Sequence, residues 1–154
     1  MIINSIHKVF ALSIIMLLSG ACEGTKSTNN VNAKEMISKI SIEKSTLGSS
    51  SIVEINKREI SISSKGKNDD ESVEAKNTAP KVWNEINHLV SALDLNEMSN
   101  WEAPTQARFY DGAKATTVTI ESNGQVYISQ SFDEGKPPAE LKALNDYLES
   151  LVNQ

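Results

Sequence analysis

The chain has 154 residues, with 15 Lys and Arg against 20 Asp and Glu, and its net charge of −5 is spread over interspersed rather than segregated charges. The absence of a basic stripe argues against nucleic-acid binding, and a single cysteine, Cys22, excludes an intramolecular disulfide. With two histidines, His7 and His88, a structural zinc site lacks ligands, and no G-x-S-x-G, P-loop or G-x-G-x-x-G segment occurs.

The chain opens with Lys8, an apolar run from Val9 to Leu18, the small residues Ser19-Gly20-Ala21, and then Cys22. The run is shorter than the roughly 20 residues that a bilayer-spanning helix needs, so it reads as a signal-peptide core over residues 1–21. The arrangement resembles a bacterial lipoprotein signal, in which the cysteine is acylated and becomes the mature N-terminus. Ser19 stands where such a signal usually carries Leu, a looseness found in Bacteroidetes lipoproteins. The resemblance implies lipidation of Cys22, attachment to a membrane through that lipid, and a location in the cell envelope on the outer membrane or a periplasmic face. Ordinary secretion with a free Cys22 is the other reading. Residues 22–35 are then the lipidated Cys and a polar, aperiodic tether reaching about 20 Å.

Residues 36–152 form the predicted domain. Ile40 and Ile42 alternate with polar residues and predict a first strand. Val53 and Ile55, then Ile60 and Ile62, predict a hairpin with 55 opposite 60 and 53 opposite 62, closed by a four-residue loop over 56–59 because no Gly is present for a tighter turn. Residues 64–79 are charged and predict a loop, with at most a short strand around Val73. Pro80 opens a helix whose stripe is Val82, Trp83, Ile86, Leu89, Val90 and Leu93. Leu95, Met98 and Trp101 pin its exit, and His88 reads as a helix-surface residue. A second hairpin pairs Thr116, Val118 and Ile120 with Val126 and Ile128. A three-residue loop over 122–124 opposes 120 to 126 and 118 to 128, stacking apolar on apolar, and is preferred over a two-residue Asn123-Gly124 turn. Pro137-Pro138 starts a last helix with the stripe Leu141, Leu144, Leu148, Leu151 and Val152, and Glu140 in its first turn. The order is β-β-β-α-β-β-α, an α+β fold with a five-stranded antiparallel sheet and two helices packed on one face.

Two segments carry more side-chain chemistry than loops require: 101–112, with Trp101, Arg108, Tyr110 and Asp111, and 132–135, with Phe132, Asp133 and Glu134. The second hairpin brings both to one end of the sheet, where Asp111, Asp133 and Glu134 can cluster with Arg108. Three uses compete. The aromatics can cap the core while Arg108 pairs with a carboxylate. They can form a recognition surface, since Trp, Tyr and Arg are the usual anchors. Or the carboxylates can form a small hydrolase site or a calcium site, although the domain offers little room for a cleft and the spacing matches no calcium loop. No catalytic residue, metal or cofactor is expected.

The helix with Trp83, the stretch from Ala103-Pro104-Thr105 through Arg108 to Asp111-Gly112, and Ser131-Phe132-Asp133 followed by Pro137-Pro138 resemble a flavobacterial-type lipoprotein family that brings no activity with it. The order of elements is also similar to that of emfourin-type metalloprotease inhibitors. Their glycine-rich segment after the first strand is matched only by Thr46-Leu47-Gly48-Ser49, so no inhibitory residue carries over. The function expected is a lipid-anchored, non-catalytic binding or accessory domain with a protein partner in the cell envelope. A secreted-protease inhibitor and a carboxylate-dependent hydrolase are the alternatives.

Overall fold

In the computed structural model, residues 37–68, 70–110 and 112–152 are described. The signal, Cys22 and the tether lie outside them, as does Asp111. The strands are β1 (Ile37–Thr46), β2 (Ser49–Asn56), β3 (Glu59–Lys65), β4 (Glu71–Asn77), β5 (Ala115–Ser122), β6 (Gln125–Ile128) and β7 (Phe132–Asp133). The helices are α1 (Pro80–Ser91) and α2 (Lys142–Val152), with 3-10 segments at Leu95–Asn100 and Ala107–Phe109. The sheet is antiparallel, in the order β4-β3-β2-β1-β5-β6, with β7 also on β5.

The α+β class holds, but the sheet has seven strands rather than five. One addition is β4, within the stretch expected to be mainly loop. Each of its seven residues is exposed, so burial imposes no alternation on its sequence. It is held by the ladder to β3, from Glu59 opposite Asn77 to Lys65 opposite Glu71. The other addition is the two-residue β7.

The first predicted hairpin has the expected register, Ile55 opposite Ile60 and Val53 opposite Ile62. Its turn needs no Gly because the Asn56 side chain accepts hydrogen bonds from the Arg58 and Glu59 amides, at 2.8 and 3.1 Å. The second hairpin differs from expectation. Ile120 faces Tyr127 and Ser122 faces Gln125 across a two-residue turn. Asn123 and Gly124 take φ of 51° and 76°, the left-handed pair of a type I′ turn, whose twist matches the flanking strands. Turn chemistry outweighs the stacking of apolar pairs, and Val126 and Ile128 are left exposed on the outer face. A Cβ added at Gly124 meets nothing within 4 Å. Gly124→Ala is therefore expected to cost only the backbone preference, about 1 kcal/mol, readable as a shift in the urea midpoint.

Beyond this hairpin the strand slips. Ser129 donates its amide to the Val118 carbonyl at 3.0 Å and its hydroxyl oxygen accepts from the Val118 amide at 3.0 Å, yet Phe132 faces Thr116. Three steps on one strand answer two on the other, as in a β-bulge. The slip moves Phe132 from the outer parity of Val126 and Ile128 to the inner parity of Thr116 and Val118.

The core joins Ile40, Ile42, Val53, Ile55, Ile60, Val118, Ile120 and Phe132 from the strands with Trp83, Ile86 and Val90 from α1 and Leu144, Leu148 and Leu151 from α2. α1 begins at Pro80 as expected. α2 begins at Lys142 rather than at the proline pair. Pro138 bars Pro137 from helical geometry, and residues 138–141 form a turn closed by the Leu141 amide on the Pro138 carbonyl at 3.1 Å. Glu140 therefore does not sit in the helix's first turn. Lys76 donates to the Leu151 carbonyl at 2.9 Å, placing a cation at the negative end of α2.

Candidate functional site

The second rich segment is a two-residue strand, β7, followed by a turn at Glu134-Gly135. Its Phe132 is fully buried and belongs to the core, which removes it from any recognition surface. Asp133 is also buried, and its carboxylate organises the first segment. Oδ2 accepts from the Thr105 hydroxyl at 2.6 Å and the Ala107 amide at 2.7 Å. Oδ1 accepts from the Arg108 amide at 2.9 Å and from Arg108 Nη1 at 3.0 Å. The same Nη1 donates to the Thr105 carbonyl at 2.9 Å. Four donors thus converge on one carboxylate and hold 105–108 in a tight bend. Burial pushes the Asp133 carboxyl up, but the bonds from Thr105, the Arg108 amide and guanidinium, and the Ala107 amide prevail. They hold it well below the usual carboxylate range.

The bend continues as the 3-10 turn Ala107–Phe109, whose carbonyls are met by the Phe109 amide on Gln106 at 3.1 Å and the Tyr110 amide on Ala107 at 2.9 Å. The Arg108 side chain is 10% exposed, and its guanidinium carbon lies 4.4 Å from the Phe109 ring centroid. Phe109 and Tyr110 are 65% and 86% exposed. Trp101 is half-buried against the core. A polar depression of about 260 Å³ adjoins this bend, lined by Glu102, Ala103, Gln106, Arg108 and Gln130.

The expected grouping of carboxylates around Arg108 does not form between Asp133 and Glu134. Glu134 pairs instead with Lys44 at 3.1 Å and Lys114 at 3.6 Å, and Lys44 also holds Glu149 at 2.7 Å. Burial lowers the Lys44 pKa, and the bonds to Glu149 and Glu134 raise it further than burial lowers it. His88 is exposed on α1. Among the described residues, no group of three or more His, Cys, Asp or Glu side chains could hold a metal ion. No described helix is long and apolar enough to cross a membrane.

Sequence reasoning singled out Arg108 and Asp133 and left open their pairing with one another. It missed the roles of Thr105 and the Ala107 amide, and it missed Phe109 as a surface aromatic. The bonded partners of Asp133 lie 25–28 positions away, so no local pattern announces them. No family model, curated protein or solved structure matches the chain.

Proposed function

We propose that this protein is a non-catalytic binding or accessory domain of the flavobacterial lipoprotein type, held at the cell envelope by lipid on Cys22. It engages a protein partner there through the bend at 101–110. The observation that carries this reading is the pinned turn. Four hydrogen bonds onto Asp133 fix the backbone that offers Phe109 and Tyr110 to solvent. Two large aromatics on a pre-ordered turn lose little freedom on binding, which is what an anchor requires. Asp133 has both oxygens engaged by donors and Glu134 is engaged by lysines, which favours binding over acid–base chemistry. Both helices are read as covering one face of the sheet. Lys44 with Glu149 and Lys76 with the Leu151 carbonyl support this for α2.

Two comparisons test the proposal. Phe109→Ala/Tyr110→Ala changes exposed side chains, so stability should stay within about 0.5 kcal/mol. Capture of envelope partners from detergent extract should fall about tenfold or more. Identical partner recovery would end the case for this surface. Cys22→Ser should move the protein from the membrane fraction to the soluble one, and retention in the membrane would end the case for the anchor.

A further inference from the structure

We propose that β4 is the interface of a two-fold dimer, in which the strand pairs antiparallel with its own copy around Ala75. β4 is the outermost strand of the sheet, with β3 on one side and no described strand on the other. Its ladder to β3 is regular from end to end. At one end the Thr78 amide donates to the Arg58 carbonyl, and at the other the Gly66 amide donates to the Asp70 carbonyl, both at 2.9 Å. In an antiparallel ladder the hydrogen-bonded pairs alternate. Residues 72, 74 and 76 therefore direct their amides and carbonyls at β3, while Val73, Ala75 and Asn77 direct theirs outward from the edge.

Edges of this kind are commonly guarded by charges on the inner face. Here the inner-face charges are Glu74, opposite Ile62, and Lys76, opposite Ile60. They have opposite signs and stand two residues apart, so they repel most foreign edges but complement an antiparallel copy. With Ala75 on the two-fold axis, Val73 hydrogen-bonds with Asn77 of the second copy, and Ala75 with its own counterpart. Glu74 then faces Lys76 of the second copy twice, in the closer, non-hydrogen-bonded positions where opposite charges interact best. An axis on Glu74 would oppose two glutamates. An axis on Val73 would oppose Glu74 to Ser72 and bring no charge pair within β4. Lys76 keeps its bond to the Leu151 carbonyl, since an ammonium has three donors.

The test uses the full chain in detergent, with sedimentation equilibrium and amide hydrogen exchange read together. The wild type should sediment as two protomers, and the amides of Val73, Ala75 and Asn77 should exchange about tenfold more slowly than in a monomer. Glu74→Lys and Lys76→Glu, each alone, should reduce the mass to one protomer and release those amides. The double variant Glu74→Lys/Lys76→Glu should restore both, because it exchanges the charges without changing their complementarity. A one-protomer wild type, single variants that stay dimeric, a double variant that stays monomeric, or a dimer without protection at those three amides would each overturn the proposal.

Discussion

Asp133→Asn is expected to lower the thermal midpoint by on the order of 10 °C, although it changes a single atom of the side chain. The carboxylate accepts four hydrogen bonds, two on each oxygen. An amide has one oxygen, so whichever way it turns, its NH2 faces two donors. The guanidinium of Arg108, with little access to water, also loses its counter-charge. Hydrogen exchange separates this from general softening: the amides of Ala107 and Arg108 should lose protection before those of β1 and β5. The pH profile supplies a second readout. The folded carboxyl is held below its unfolded value of about 3.9. The unfolded chain therefore binds the proton first. The stability contributed by Asp133 is complete above about pH 4 and is lost as pH falls through the folded value. Wild type and Asp133→Asn should converge in acid. A variant with the wild-type slope below pH 4 would show that the carboxylate does not hold the bend.

Phe132→Ala is expected to cost about 3–5 kcal/mol, the range for removing a fully buried aromatic. Phe132 precedes the pinned carboxylate on the same two-residue strand, so the cavity should loosen Asp133 as well. Phe132→Leu retains most of the volume and should cost less than half as much. Chemical denaturation of the three proteins gives the ranking. A Phe132→Ala variant within 1 kcal/mol of wild type would contradict the burial described for this side chain.

Where burial writes a period into the chain, the sequence is legible. Ile40 and Ile42, Val53 and Ile55, and Ile60 and Ile62 announce strands and even the facing of 55 with 60, because each must turn one side inward. Pro80 announces α1 because only a first turn accepts it. β4 leaves no such trace, since an exposed edge strand has no side to bury. The β5–β6 register does not follow the stacking of apolar pairs, because Asn123 and Gly124 both take positive φ and decide the pairing. The Pro137-Pro138 pair announces a turn as readily as a helix. At the candidate site the residue types drew notice, but the burial of Phe132 depends on the slip at 129–131, which no hydropathy pattern records.

That slip means that the stretch between Ile128 and Phe132 holds one residue more than a regular ladder needs. Removing one of the three intervening residues would let two steps answer two, so a regular ladder would still set Phe132 opposite Thr116 with its side chain inward. Adding one would make four steps answer two, and Phe132 and Asp133 would hold their places opposite Thr116 and Ala115 only through a larger bulge. Exchanging side chains in the same stretch leaves this count unchanged, and the side-chain bond at stake there is the one the Val118 amide makes to the Ser129 hydroxyl. The connection at 66–70 is different: it can lengthen freely, because β4 is registered by its ladder to β3 and not by its turn.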